Sequence, residues 1–157
     1  SPMRMVLERG SVTIGGFDPE WALALIEQYR VTHSQWVPTM FVRMLKLPEE
    51  ARRRHDLSSH RVAIHAAAPC PRQVKHAMIE WWGPIVHEYY AGSEGNGLCA
   101  IDSAQWLAHE GSVGRPVFGV PHILDAEGRE LPPGQEGTIY FSDGVEFVYH
   151  NDPQQTA

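Results

Sequence analysis

The strongest constraint on the fold is an alternation of short β-branched segments and helical hydrophobic patterns through residues 11–90. Residues 11–14, 31–37, 62–68 and 85–90 are rich in strand-forming side chains. Apolar residues at helical spacing lie between these segments. The order strand, helix, strand, helix predicts an α/β fold, with a layer of parallel strands and helices that flank it.

Capping residues mark the places where the predicted helices begin. Asp18 can accept hydrogen bonds from free backbone N–H groups, and Pro19 fits the first helical turn. Pro38 and Pro71 mark two further helix starts. Residues 49–54 predict a short, polar helix with an exposed surface.

The character of the sequence changes after Gly92. Glycine and turn residues become dense, and residues 122–125 and 138–142 predict short strands. This half therefore predicts a small antiparallel β-meander or part of a barrel. We expect an α/β subdomain over residues 1–104 and a small, truncated β-rich subdomain over residues 105–157.

Composition argues against several classes of function. The chain has 157 residues and a net charge of −6, so it lacks the basic face that nucleic-acid binding needs. No apolar run reaches the ~20 residues of a membrane span. Cys70 and Cys99 show no metal-ligand or disulfide pattern, which favours free thiols in a cytoplasmic protein. The nine histidines are scattered, so a metal-dependent hydrolase is the weakest alternative.

Both ends of the sequence favour a fragment. The chain starts at Ser1 without an initiator methionine. Asp152 and Pro153 are the residues of a helix start, yet only four residues follow them. We therefore expect the chain to be part of a longer protein.

Two predicted strand ends are candidates for a ligand site, because ligands bind outside the carboxyl ends of parallel strands. One is His65-Ala66-Ala67-Ala68-Pro69, and the other runs from Tyr89 to Gly97. Small side chains admit a flat ligand, and an aromatic ring offers a stacking face. A hydroxyl beside a carboxylate, as at Ser93 and Glu94, can orient a phosphate and hold Mg²⁺. Each feature also has a plain structural interpretation: tight packing, an ordinary glycine loop, a core tyrosine and a strand histidine.

Several segments, in the same order, resemble the acyl-CoA synthetases, specifically the fatty-acid-type ligases. Ala66-Ala67-Ala68-Pro69 stands at the place of a Gly-Gly-Ala-Pro-like turn, and Tyr90-Ala91-Gly92-Ser93-Glu94 at the place of Tyr-Gly-x-Thr-Glu. The other matching segments are residues 31–41 beside the family's acyl pocket, the Gly-Ser-Val-Gly-x-Pro stretch at 111–116, and the later motifs at 134–141 and 149–153.

The resemblance implies a two-step ligase reaction. A carboxylate attacks the α-phosphate of ATP to give an acyl-adenylate and pyrophosphate. The thiol of coenzyme A then attacks the acyl carbon and releases AMP. The implied partners are a fatty or other carboxylic acid, ATP and coenzyme A, and the implied metal ion is Mg²⁺. Because carboxylate and phosphate repel each other, a metal ion and fixed donors must neutralise charge in the transition state.

The resemblance also implies roles for individual residues. Tyr90 would stack on the adenine, with the turn formed by Ala66, Ala67 and Ala68 against its other face. The backbone of Ala91 and Gly92 would approach the nucleotide. As catalytic residues, Ser93 would bond the phosphate or the substrate carboxylate, and Glu94 would bind Mg²⁺. The residues that would shape the acyl pocket are Trp36, Val37, Met40 and Gly97.

Departures from the family pattern leave alternatives open. Ala91 replaces the usual glycine of the motif, and Ser93 replaces the commoner threonine. The family's phosphate loop, ribose-binding aspartate and C-terminal lysine domain are absent, so we expect little ligase activity from this chain alone. The alternative is a non-catalytic nucleotide-binding module, or a remnant that forms homo-oligomers through exposed surfaces. The sequence fixes neither the acyl chain length nor coenzyme A as the acceptor.

Overall fold

The computed structural model describes residues 5–8, 10–145 and 148. The chain divides by its contacts into unit 1, Ser1–His87, and unit 2, Glu88–Ala157. The predicted subdomain boundary near residue 104 stays a prediction. The motif predicted at residues 149–153 and the helix start at Asp152 lie outside the described residues. Within the described part of the chain, every helix is too short or too polar to cross a membrane.

Unit 1 alternates strands and helices, as the sequence predicts. A hairpin of two antiparallel strands comes first. The elements of unit 1 are β1 (Met5–Glu8), β2 (Ser11–Ile14), α1 (Pro19–Gln28), β3 (His33–Trp36), α2 (Pro38–Leu45), α3 (Glu49–Arg53), β4 (Val62–His65), α4 (Arg72–Trp82) and the beginning of β5 (Val86–Ala91). The hairpin consists of β1 and β2.

The strands β3 and β4 of unit 1 are parallel. His33 lies opposite Val62, and Trp36 lies opposite His65. The N–H of Ala63 donates to the carbonyl of Ile85 at 2.8 Å, which places the strands in the order β3-β4-β5. The predicted α/β layer with parallel strands is therefore confirmed, except that the strand predicted at residues 11–14 pairs antiparallel with β1 in a separate sheet.

The core of unit 1 explains why its helices lie on the strands. Asp18 caps α1, since its side chain accepts from the N–H of Trp21 at 2.8 Å. Ala51, on the short helix α3, is buried and anchors an otherwise exposed element. The central core side chains are Leu23, Phe41, Met44, Ala63, Met78 and Val86, all with no exposed surface.

Unit 2 is mainly antiparallel. Its elements are the rest of β5, β6 (Leu98–Ile101), α5 (Ser103–Ala108), β7 (Arg115–Phe118), β8 (Val120–Leu124) and β9 (Thr138–Ser142). The first sheet has the order β5-β6-β7, and β8 pairs with β9 in a second sheet. The predicted antiparallel β region is confirmed.

Three elements of unit 2 were not predicted, namely β6, α5 and β7. Asp102 caps α5 by accepting from the N–H of Gln105 at 2.8 Å, in a capping box. Trp106, on the same helix, is 2% exposed and Ser103 is fully buried. The Asp102-x-x-Gln105 spacing is the sequence signal that could have identified this helix.

Candidate functional site

At the end of β4, a buried strand leads directly into an exposed turn. His65 and Ala66 are buried, whereas Ala67 and Ala68 are exposed. Ala67 has φ 74°, which lies in the left-handed region. This conformation is unfavourable for a residue with a Cβ, and strained backbone of this kind clusters at ligand sites. The turn predicted to face adenine is thus small, accessible and strained.

The imidazole of His65 is neutral at pH 7. Burial and, to a lesser extent, the positive charge of Lys75 together lower its pKa to about 4. The ring lies edge-on to Phe41, with centroids 5.5 Å apart. His65 is therefore a core residue of the strand, in agreement with its plain structural interpretation.

Lys75 is a buried charged residue that the sequence analysis did not single out. It lies on α4 and has no exposed surface. Lys75, Met78 and Trp82 are spaced i, i+3 and i+7, so Lys75 occupies the apolar stripe of the helix. That spacing is the signal that could have identified it.

At the end of β5, Tyr90 lies at the surface of unit 2. It is 39% exposed, so the interpretation of Tyr90 as a core tyrosine is wrong. Its ring stacks on Phe141, with centroids 6.5 Å apart and an angle of 25° between the planes. Ala91 and Ser93, which follow it, are also exposed. An aromatic face and a hydroxyl are therefore accessible at this strand end.

Glu94 folds back over the backbone of Gly92. A Cβ built on Gly92 would lie 2.9 Å from Glu94 Oε2 and 2.9 Å from Asn96 Oδ1. A side chain at Gly92 would therefore require the ends of the Glu94 and Asn96 side chains to move. The loop from Gly92 to Gly97 thus brings a carboxylate and an amide oxygen to one place, and Asn96 is a polar group that the sequence analysis did not predict.

The oxygen atoms of Glu94 and Asn96 suit a hard cation such as Mg²⁺, which prefers oxygen ligands and keeps several waters. No group of three or more His, Cys, Asp or Glu side chains suitable for a metal occurs among the described residues. A carboxylate with one neutral oxygen fits an ion that is also held by a substrate phosphate.

The residues predicted to form the acyl pocket differ in burial and belong to different units. Trp36 is 7% exposed and packs in the core of unit 1 against Phe41 and Trp82. Val37 and Met40 are half-buried in the same unit. Gly97 is buried in unit 2, and the ring of Phe141 covers it.

Unit 1 thus has an α/β fold with a turn of small residues at one strand end, and unit 2 has an antiparallel β fold with aromatic and oxygen-bearing residues at another. The AMP-binding enzyme family matches residues 3–145 of this chain. The chain belongs to that family.

Curated relatives of the chain are ligases. A feruloyl-CoA synthase from Amycolatopsis sp is 31% identical over 155 residues, which cover 97% of this chain and 31% of the relative. A medium/long-chain-fatty-acid–CoA ligase, FadD8, from Mycobacterium tuberculosis is 31% identical over 156 residues, which cover 93% of this chain and 26% of that ligase. The chain thus spans less than a third of the length of these relatives.

A solved structure with the same fold is the amide bond synthetase McbA from Marinactinospora thermotolerans. Its TM-score is 0.76 at 27% sequence identity, and the match covers 89% of this chain and 29% of that protein. The family resemblance inferred from the motifs is confirmed, and so is the mixed α/β fold.

Proposed function

We propose that this chain supplies part of the nucleotide site of an ATP-dependent acyl-CoA ligase. The ligase activates a fatty or other carboxylic acid as an acyl-adenylate and transfers the acyl group to coenzyme A. The family match and the coenzyme A ligases among the relatives support this proposal. In accord with such metabolism, we place the protein in the cytoplasm.

The observation that carries the proposal is the exposed ring of Tyr90 at the end of β5. An aromatic ring with an accessible face is a stacking surface for a nucleobase. Ala66, Ala67 and Ala68 keep the adenine-contact role that the family resemblance implies. Ala91 and Gly92 continue the backbone beside Tyr90.

Ser93 and Glu94 supply the polar chemistry of the proposed site. The exposed hydroxyl of Ser93 donates a hydrogen bond to a phosphate or to the substrate carboxylate. The carboxylate of Glu94, with Asn96 Oδ1 near it, would hold Mg²⁺. When bound, the cation offsets the negative charge of the phosphates, which otherwise repels the attacking carboxylate.

The acyl acceptor has a second candidate, because the solved structure of McbA is that of an amide bond synthetase. An amine would then replace the thiol of coenzyme A. We favour coenzyme A, since the named activities of the curated relatives use it. We retain Trp36, Val37, Met40 and Gly97 as proposed acyl-pocket residues.

A non-catalytic, self-associating module is the alternative function. It is favoured by exposed apolar side chains on the strands of unit 2: Val117, Phe118, Val120 and Tyr140 are 69%, 43%, 45% and 53% exposed. Such side chains favour contacts between copies. This alternative would be supported over the ligase if sedimentation velocity showed a dimer and a separate titration showed that the dimer does not bind nucleotide.

The test of the proposed site is calorimetric titration of a stable acyl-adenylate analogue into the chain and into Tyr90→Ala. Because stacking of a base on an aromatic ring contributes about 1–3 kcal/mol, we expect Tyr90→Ala to weaken binding by about tenfold or more. In a parallel titration with ATP, Glu94→Gln should remove the part of the affinity that depends on Mg²⁺.

Tyr140→Ala is the matched control, since Tyr140 is an exposed tyrosine of the same unit, on β9. It should bind the analogue like the unmodified chain. If the folded chain binds no analogue, or if Tyr90→Ala and Tyr140→Ala weaken binding equally, the proposed site is wrong.

A further inference from the structure

The ring of Phe141 contacts both the glycine loop and the ring of Tyr90. A Cβ built on Gly97 would lie 2.0 Å from Phe141 Cδ1, so the ring rests directly against the backbone there. At Gly119, the same construction gives 3.3 Å to Phe141 Cδ1. A further neighbour of Phe141 is the ring of Tyr90, with the two ring centroids 6.5 Å apart. Phe141 thus joins the loop to the proposed adenine-stacking ring.

The residues after β9 contact the same loop. The N–H of Val145 donates to the carbonyl of Gly95 at 3.4 Å. A Cβ built on Gly144 would lie 2.2 Å from the carbonyl oxygen of Asn96. Phe141, Gly144 and Val145 therefore all contact the end of the loop from Gly92 to Gly97.

The alternation along β9 shows that this contact is specific to one face of the strand. Ile139 and Phe141 are half-buried, whereas Thr138, Tyr140 and Ser142 are exposed. In the register of the hairpin, Phe141 lies opposite Pro121 and Tyr140 lies opposite His122. Adjacent residues of one strand therefore differ in whether they contact the loop.

We infer that Phe141 is a positioning residue for nucleotide recognition, acting by holding the ring of Tyr90 in place. This inference rests on the proposed function. The sequence motifs assign no role to Phe141. In this inference Phe141 contacts Tyr90, and Tyr90 contacts the base.

The physical reason is preorganisation. An exposed tyrosine ring samples several orientations, and a ligand that stacks on it must fix one of them at an entropic cost. Phe141 stacks against the ring of Tyr90, which restricts the orientations that this ring can adopt before a ligand binds. The gain should appear only for ligands that carry a base.

The experiment compares AMP with ribose 5-phosphate, which lacks the base, by NMR titration of the full chain. The variants are Phe141→Ala, Phe141→Leu and Phe141→Tyr, with Tyr140→Ala as the control from the exposed face of β9. Phe141→Leu keeps apolar volume if the alanine variant fails to fold, and Phe141→Tyr keeps the ring. We expect Phe141→Ala and Phe141→Leu to weaken AMP binding by about fivefold to tenfold, and Phe141→Tyr and Tyr140→Ala to leave it within about twofold.

The binding of ribose 5-phosphate separates positioning from general damage. It should stay within about twofold in every folded variant. Equal losses for AMP and ribose 5-phosphate, or no loss of AMP binding in Phe141→Leu, would overturn the inference while the proposed function stands. Failure of the unmodified chain to bind AMP would overturn the proposed function, and the inference with it.

Discussion

The two strand ends of the candidate site reach tight backbone geometry by opposite means. After β4, the chain uses no glycine between His65 and Pro69, and Ala67 adopts a left-handed conformation with its methyl group in place. After β5, glycines occur at the points of closest approach, as at Gly92 and Gly97. The first turn carries backbone strain, whereas the second has a close contact between Gly97 and the ring of Phe141 that leaves no room for a side chain at Gly97.

This difference teaches that small residues at a strand end can serve two physical purposes. At Gly97 the missing Cβ makes room for the ring of Phe141. At Ala67 the exposed turn leaves room for a side chain, but the backbone angle does not suit one. Substitutions at the two ends should therefore change stability in opposite directions.

The largest effect should come from Gly97→Ala. The added methyl would lie 2.0 Å from Phe141 Cδ1, so either the ring or the loop must move. Overpacking of this kind costs about 3 kcal/mol in the free energy of unfolding. Urea-induced unfolding measures the change. Gly95→Ala is the control, since its Cβ meets nothing within 4 Å and only its φ of 70° opposes a side chain.

The clash also predicts a rescue. In the Phe141→Ala background the methyl at position 97 has space, so Gly97→Ala should cost less than about 1 kcal/mol there. A cost that is unchanged by Phe141→Ala would show that Gly97 is required for another reason. The ring of Phe141 would then not be what fixes this strand end.

A smaller effect should distinguish the β4 end by its dependence on pH. The pKa of His65 is lowered to about 4 by burial and by Lys75, whereas an imidazole in the unfolded chain has a pKa of about 6.5. Between these two values, the unfolded state binds a proton that the folded state does not. The free energy of unfolding should therefore fall as the pH falls from 6.5 to 4, by about 2 kcal/mol for this residue at pH 5.

The measurement is urea-induced unfolding at pH 7 and pH 5, for the unmodified chain and for His65→Gln. His60, whose pKa burial and the charge of His33 lower to about 4, contributes in the same direction in both chains. Between pH 7 and pH 5, the free energy of unfolding should fall less in the variant than in the unmodified chain, and the difference is the contribution of His65, about 2 kcal/mol. Equal losses in both chains would mean that His65 takes up its proton in the folded state as readily as in the unfolded state.

The sequence predicted the elements of unit 1 well because local signals and the core agree there. Asp18 and Pro19 start α1 as expected, and β3 and β4 are parallel. In unit 2 the elements β6, α5 and β7 were missed. All four residues of the segment Leu98–Ile101 are apolar, so it lacks the alternation of apolar and polar residues that indicates a strand. It is a strand because β5 and β7 pair with it.

The sequence motifs led to a prediction of the segments of the candidate site, but not of the contacts within them. The motif at Tyr90 to Glu94 located the loop, yet Phe141 lies far along the chain and its role arises only when β9 reaches Gly97. Asn96 likewise joins Glu94 through the fold of the loop. Long-range packing of this kind leaves no periodic signal in a single sequence.

The smallest predicted effect is also the sharpest test of the comparison. Ala67→Gly should stabilise the chain, because a left-handed conformation costs a residue with a Cβ about 1–2 kcal/mol, and glycine avoids this cost. The greater flexibility of glycine in the unfolded chain offsets about 0.5–1 kcal/mol of the gain. We expect a net gain of about 1 kcal/mol or less in the free energy of unfolding. In the neighbouring control Ala68→Gly, where φ is not positive, only the cost of flexibility remains, and stability should fall. If both glycine variants lose stability equally, Ala67 carries no relievable strain, and the two strand ends do not differ in the way proposed.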